Sequence, residues 1–438
     1  MNNQITAIAQ KLRSIVGSAA VSDWEDIKGA QRSQIEAITP NPTCIVYPHT
    51  QAELAEIIAC AHHNKWRVLP CGNGSKLSWG GLVEVQLVVS TQHLNQLIQH
   101  AVGDLTITVE AGTKFADVQN ILATAGQFLA LDPTAPESAT MGGIVATADT
   151  GSWRQRYGGV RDQLLGISFV RADGQIAKAG GRVVKNVAGY DLMKLFTGSY
   201  GTLGVITSVT FRVYPLPEAS GTVVLTGEAG AIAQAYITQR SSALVPTAAD
   251  LLSSGLVARL GIGQGLGFIT RFQTIPESVK QQSTTLLQLG QQLGLQGAIY
   301  AAGDEADLWQ KIREQMNEST TEPIITCKIG VLPSASIATL TQLDNGATQS
   351  GIGLIHSGSG LGLLRLGNDA ATAQVILEMR ALCQTQGGFL TLLEAPVSLK
   401  QQIDAWGYNG NTIDLMRSIK QQFDPKNILS PHRFVGGI

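Results

Sequence analysis

Three glycine-rich blocks and one histidine–arginine pair hold the residues that could do chemistry in this chain of 438. The first block, VLPCGNGSKLSWGG from Val68 to Gly81, leaves a short apolar strand at Pro70 and opens on Gly72 and Gly74. Glycine has no Cβ, so main chain can come within contact distance of a ligand and offer its N–H groups. A concave run of such groups cradles an anion, most often phosphate. Gly72, Asn73, Gly74, Ser75 and Lys76 form that run, with Trp79 just beyond it. The second block reads Asp132-Pro133-Thr134-Ala135-Pro136 and then Thr140-Met141-Gly142-Gly143-Ile144-Val145-Ala146. Its prolines stiffen the approach, and its surface of Gly, Ala and Thr suits a flat, bulky ligand laid against backbone. The third block, Lys185 to Asp191 and then Gly198-Ser199-Tyr200-Gly201-Thr202-Leu203-Gly204-Val205-Ile206, is a tight turn released into an apolar strand.

Singly, each block reads as a turn, a bulge or a helix end. Three of them in order within one unit point to a shared ligand. The first is not a Walker A motif, because the GK[ST] ending at its required spacing is missing. Nor is it a Rossmann fingerprint, since no GxGxxG opens a helix there. The pair His356 and Arg365 lies far downstream, on either side of a Gly358–Gly362 turn. A base and a cation for a carboxylate are the chemical reading; a satisfied strand histidine and an exposed or interface charge are the structural one.

The composition sets limits on this chemistry. Hydrophobic residues make up 44% and charged ones 15%, the proportions of a globular protein with a sizeable core. The 48 glycines lack any linker-like or collagen-like period and so belong to turns and close approaches. A net charge of −2 gives no electrostatic reason to expect nucleic acid or an anionic membrane surface as partner. Cys44, Cys60, Cys71, Cys327 and Cys383 form no CxxC or CxxH pair, so neither a zinc nor an iron–sulfur ligand pattern is present. They read as idle thiols in a reducing cytosol, with Cys71 a small filler inside the first loop. No signal peptide and no long apolar span is apparent. The expectation is a cytoplasmic protein, peripheral at the inner face of a membrane only through a partner.

The elements that must position the blocks follow from periodicity. Residues 1–39 form a helical lead-in. Cys44–Tyr47 is a strand between Pro42 and Pro48, and Thr50-Gln51-Ala52-Glu53 is a capping box opening a helix with Leu54, Ile57, Ile58 and Ala61 on one face. Strands are expected at Arg67–Leu69 and Val85–Ser90, a helix at Leu94–Gln99, a strand through Leu105, Ile107 and Val109, and a helix over Lys114–Ala125. Asp173-Gly174 marks a hairpin, and Val205–Tyr214 is a strand ending at Pro215-Leu216-Pro217, the best domain boundary. Beyond it, helical and strand patterns alternate as an α+β unit with an antiparallel sheet. The divisions expected are 1–39, 40–217, 218–398 and a C-terminal segment 399–438 returning to the first domain.

In order and spacing, these blocks resemble the FAD-binding domain of the vanillyl-alcohol oxidase/p-cresol methylhydroxylase (PCMH) type. With VVKNVAGYDLMKLFTGSYGTLGVITSV and the terminal FDPKNILSPHRF, the chain is more narrowly similar to the GlcE-type FAD-binding subunits of bacterial glycolate oxidase. The resemblance implies an α+β fold, a two-subdomain FAD domain plus a cap. It places the pyrophosphate on Gly72, Asn73, Gly74 and Ser75, and the flavin and ribityl parts along Thr140–Gly143 and Gly201–Ile206. Pro70, Lys76, Trp79, Pro133, Thr134 and Ala146 complete the expected cofactor site, with Lys185 and Lys194 as further charges near the flavin or as solvated lysines. No histidine stands at Gly74-Ser75-Lys76, where some relatives attach FAD covalently, so a non-covalent cofactor is expected. A His-rich metal motif of the sister subunit and of D-lactate dehydrogenases is reduced here to Ile355-His356-Ser357-Gly358, so no metal is expected. The implied function is oxidation of glycolate, or another 2-hydroxy acid, within a complex. Its partners would be a companion FAD/metal dehydrogenase subunit and an iron–sulfur subunit leading to a quinone. A self-sufficient oxidoreductase and a mainly structural subunit are the alternatives.

Overall fold

Local chemistry starts the first βα unit. Thr50 Oγ1 accepts from the Glu53 N–H at 3.1 Å, while Glu53 Oε2 accepts from the His49 N–H at 2.7 Å. This reciprocal cap opens the helix Gln51–Asn64, whose Leu54, Ile57, Ile58 and Ala61 are buried. The computed structural model describes residues 2–40, 42–182, 189–317, 324–344, 351–367 and 372–438. These form two units: 1–150 with 159–215 and 408–438, and 151–158 with 216–407.

The first unit contains two main sheets. One has the order Val21–Asp23, Cys44–Val46, Leu87–Ser90, Val68–Cys71, with the last three strands parallel. A parallel sheet needs cover on both faces, and its strands accordingly read as unbroken apolar runs. One face packs on Leu54, Ile57 and Ile58; the other packs on Trp24, Ile35 and Ile38. The second sheet is antiparallel, in the order Leu97–Ala101, Thr106–Glu110, Val205–Arg212, Leu164–Val170, Ile176–Gly180. The second unit holds an eight-stranded antiparallel sheet running from Gln296–Ala301 at one edge to Phe389–Glu394 at the other, with an apolar cluster on each face. The fold is therefore α+β, with an antiparallel sheet in the second unit.

Several sequence expectations change. Leu97–Ala101 is an edge strand, not part of a helix. Leu94, Leu97 and Ile98 sit at helical spacing, but pairing with Thr106–Glu110 decides the backbone. The lead-in contributes the strand Val21–Asp23 to the first sheet and is not purely helical. The first division falls after Pro215, and the second unit extends to Gly407 instead of ending at residue 398. Arg380 explains that extension, because its guanidinium donates to the carbonyls of Leu390 and Asp404 at 3.1 and 2.8 Å. Residues 151–158 join the second unit, where Trp153 packs on the cluster around Leu354 and Leu252.

The C-terminal segment returns to the first unit through one buried ion pair. Lys420 Nζ lies 2.6 Å from Asp424 Oδ2 and also donates to the carbonyls of Thr202 and Leu429, at 2.9 and 2.8 Å. Asp424 in turn accepts from the N–H groups of Ile428 and Leu429. Leu429 then lies parallel to Val68, with Val68 N–H donating to Ile428 O and Ser430 N–H to Val68 O. Burial depresses the Lys420 pKa, and the neighbouring carboxylate opposes that shift. Removing one member of such a pair leaves an uncompensated charge. Lys420→Met should lower unfolding stability by about 3–5 kcal/mol in urea titrations. A loss below about 1 kcal/mol, the range of an exposed pair, would contradict this role.

Candidate functional site

The three glycine-rich blocks meet in the first unit around one open groove that all three line. Contact between the first two blocks leaves no room for a side chain. A Cβ on Gly72 would lie 2.1 Å from Thr140 Oγ1, and one on Gly142 would lie 2.8 Å from the Ala111 Cβ. The second block is not a bulge but a short helix, Met141–Thr147, whose N-cap Thr140 accepts from the Gly143 N–H at 3.3 Å. The third block is tied to the C-terminal end of that helix. Gly198 N–H donates to Val145 O at 2.9 Å and Tyr200 N–H to Ala146 O at 2.8 Å. Tyr200 adopts a left-handed φ of 55° and Gly201 one of 74°, turning the chain into the strand Val205–Arg212.

The groove's chemistry fits an anionic dinucleotide. Among the described residues, the N–H groups of residues 73–76 donate to nothing, although they lie in a loop that lines the groove. Unpaired N–H groups in a row are donors awaiting an anion. Lys76 brings a buried cation, with Nζ 3.0 Å from Asp149 Oδ2 and both side chains about 5–6% exposed. Asp149 is held by the Thr134 N–H and hydroxyl at 2.9 and 3.1 Å, so the second block fixes the counter-charge of the first. Arg433, fully buried, donates to Lys76 O and Leu77 O at 3.3 and 3.0 Å and anchors the loop from beneath. Burial lowers its pKa only to about 10, so it is charged at neutral pH. Burial pushes the Cys71 thiol up to about 11, so Cys71 is a protonated lining group.

Most residues singled out from sequence line this groove: Pro70, Gly72, Asn73, Gly74, Ser75 and Lys76, then Thr140, Gly142, Gly143 and Ala146, then Gly201, Gly204, Val205 and Ile206. Four do not. Met141 is buried in the second-sheet core, in the apolar cluster that also holds Ile144 and Val109. Thr134 is occupied with Asp149, Pro133 is not among the lining residues, and Trp79 is buried behind the loop with its ring centroid 5.9 Å from Lys76 Nζ. Sequence reasoning missed Leu77, Thr91, Thr147, Tyr200 and Arg433. Tyr200 stood inside the third block and Arg433 inside the terminal HRF, but neither residue type carries a phosphate-cradle signal. Lys194 pairs with Asp191 at 2.6 Å as a half-exposed surface pair, and Lys185 lies outside the described residues.

His356 and Arg365 are not brought together. Both project from the same face of adjacent strands, but Arg365 registers with Ile352, four residues from His356, or about 13 Å along the strand. The Arg365 guanidinium donates to the Gln315 carbonyl in the last turn of the helix Ala302–Asn317. It caps that helix and does not clamp a carboxylate alongside His356. Among the described residues, no three His, Cys, Asp or Glu side chains gather as metal ligands. No helix among them is long and apolar enough to cross a membrane. The tight Gly72–Thr140 contact gives a direct test. Gly72→Ala should raise the FAD dissociation constant at least about tenfold, equivalent to about 1.4 kcal/mol, in fluorescence titrations. Unchanged affinity would mean that the two blocks do not form one cofactor surface.

Comparison with known proteins bears on the same segments. Residues 42–180 match the FAD binding domain family, and residues 400–434 match the C-terminal domain of FAD linked oxidases. Glycolate oxidase subunit GlcD of Bacillus subtilis is 24% identical over 416 residues, which is 89% of this chain and 88% of that protein. D-lactate dehydrogenase of Archaeoglobus fulgidus is 27% identical over 414 residues, 89% of this chain and 91% of that protein. Glycolate oxidase subunit GlcE of Escherichia coli is 38% identical over 168 residues, but these are 38% of this chain and 48% of that protein. The solved structure of p-cresol methylhydroxylase with substrate bound superposes with a TM-score of 0.76 at 15% identity, covering 99% of this chain and 97% of that one. That likeness concerns the fold alone. The chain thus has the fold of p-cresol methylhydroxylase, its residues 42–180 match an FAD binding domain, and glycolate oxidase subunits are among the proteins it is similar to.

Proposed function

We propose that the chain is the FAD-binding subunit of a glycolate or closely related 2-hydroxyacid dehydrogenase complex, oxidising glycolate to glyoxylate. Electrons would leave through an iron–sulfur partner to a quinone. One observation carries the substrate class: a relative matching along 89% of the chain is named for glycolate and another for D-lactate, both 2-hydroxy acids. The designation of GlcD and GlcE as subunits supports the complex. The higher identity to GlcE, though over a shorter stretch, supports a GlcE-like rather than a GlcD-like role.

When bound, FAD supplies a hydride acceptor. The chain's own residues do the rest. The N–H groups of residues 73–76 would hold its pyrophosphate, and Lys76, fixed by Asp149, would supply a cation. Gly142, Gly143 and Ala146 let the ligand lie against backbone and exclude water. Oxidation removes a hydride from the alcohol carbon and a proton from its hydroxyl, so a base is required. We assign that role to His356, the one histidine of the second unit. With no histidine at Gly74-Ser75-Lys76, the cofactor is held without a covalent bond. A second reading, a self-sufficient oxidoreductase, is favoured by the Archaeoglobus fulgidus relative, whose name carries no subunit designation.

Acid precipitation of the yellow protein should release all flavin into the supernatant; flavin retained in the pellet would contradict non-covalent binding. Under anaerobic conditions, glycolate should bleach the flavin of the chain co-purified with its partners. Bleaching of the isolated chain by D-lactate or glycolate would favour the second reading, and bleaching by no 2-hydroxy acid in either form would overturn both.

A further inference from the structure

The strand Ala248–Leu252 carries one charged residue, Asp250, between Ala249 and Leu251, and that residue is fully buried. Its neighbours on the same face, Ala248, Leu252 and the cross-strand Ile269, are apolar. An ionised carboxylate in such a layer is costly unless it has a partner. The partner is His356, directly opposite in the antiparallel ladder, with Nδ1 2.7 Å from Asp250 Oδ1. That separation is in the range of charge-assisted hydrogen bonds. Asp250 Oδ2 finds no hydrogen-bond donor among the described residues.

The backbone that carries His356 is fixed on both sides. Ser357 N–H donates to Ala249 O at 2.9 Å, and Ser357 O accepts from the Tyr236 hydroxyl at 3.0 Å. Arg240 in turn donates to that hydroxyl at 3.0 Å. Gly360 N–H closes the turn onto His356 O at 2.9 Å. Within this frame, an acceptor on Nδ1 leaves one freedom, the second nitrogen of the ring. Nε2 has no hydrogen-bond partner among the described residues, and the side chain keeps about 10% of its surface. A carboxylate on one nitrogen of an imidazole selects the tautomer, with Nδ1 protonated and Nε2 carrying the lone pair.

We propose that Asp250 is the positioning residue of His356, holding it as the Nδ1–H tautomer so that Nε2 is the proton acceptor. For the source of that proton, the inference rests on the 2-hydroxyacid reading above. The hydroxyl O–H bond of the acid breaks and its proton passes to Nε2, while the hydride lost from the adjacent carbon, leaving a carbonyl, is what FAD would accept when bound. An isolated histidine on a strand would need no buried carboxylate behind it.

The tautomer is read on the full-length FAD-loaded chain, labelled with ¹⁵N at its seven histidines, and the rates are measured on the chain co-purified with its partners. His356 resonances, assigned by their loss in His356→Gln, should show a protonated Nδ1 and an unprotonated Nε2. In Asp250→Asn the amide can donate to Nδ1, so the opposite tautomer should appear. In the same variant, the rate of flavin reduction by glycolate should fall roughly 10–100-fold. The glycolate concentration giving half-maximal rate, the flavin content and the melting temperature should stay unchanged, and Asp250→Glu should recover part of the rate. A wild-type His356 protonated on Nε2 overturns the inference, as does a rate loss in Asp250→Asn that only follows lost flavin or lowered melting temperature. If no 2-hydroxy acid reduces the flavin while His356 shows the Nδ1–H tautomer, the substrate reading fails and the positioning assignment stands.

Discussion

The contact between Gly72 and Thr140 is the constraint on which the cofactor site depends. Two chain segments that are 68 residues apart approach so closely that a single methyl group would fall 2.1 Å from a hydroxyl. Real Cβ atoms do not pack at that distance, so only main chain can occupy the first position. Once the contact is made, the Thr140 hydroxyl also caps the helix Met141–Thr147, and the end of that helix receives the Gly198 and Tyr200 N–H groups. One close approach therefore aligns all three blocks. The groove surface that results is mostly glycine, alanine and threonine backbone and contains few reactive side chains.

Charge is distributed to support that surface. Lys76 is the buried cation on the groove side, and Asp149, oriented by Thr134, neutralises it without entering the groove. Arg433 spends its donors on the carbonyls of Lys76 and Leu77, which turns the loop's carbonyls away and leaves its N–H groups unpaired. Lys420 does the same for the third block by taking the Thr202 carbonyl. Both cations come from the C-terminal segment, which supports the groove although among its residues only Arg433 lines it. A buried pair is weak evidence of net stability. Its consequence here is specificity, because each cation has carbonyl partners at only one register of the tail.

Much of this was legible in the sequence because glycine pattern and main-chain geometry are nearly the same information. Gly72 and Gly142 mark positions where a Cβ would collide, Gly201 marks a left-handed turn, and all three line the groove. The elements around them were legible where periodicity was strong, as in the helix Gln51–Asn64 with its Thr50–Glu53 cap. Legibility failed where pairing partners, unseen in the sequence, decided the outcome. Leu97–Ala101 carried a helical stripe and became an edge strand, and Arg365, open in the sequence between a cation for a carboxylate and an interface charge, donates to a helix end 50 residues away. Met141 failed for a subtler reason: adjacent to a lining glycine in sequence, it faces the opposite side of a helix. Asp250 was invisible because a lone aspartate between alanine and leucine gains meaning only from the strand that registers His356 beside it.

The account's central claim is that residues 72–77, 140–147 and 200–206 grip one FAD through their main chain. Amide hydrogen exchange of the apo-protein, with and without saturating FAD, tests this most directly, since it reads the backbone groups themselves. The account predicts that FAD slows exchange in all three segments together, with the largest effect at the unpaired N–H groups of residues 73–76. Protection confined to one segment, or falling outside all three, would contradict it.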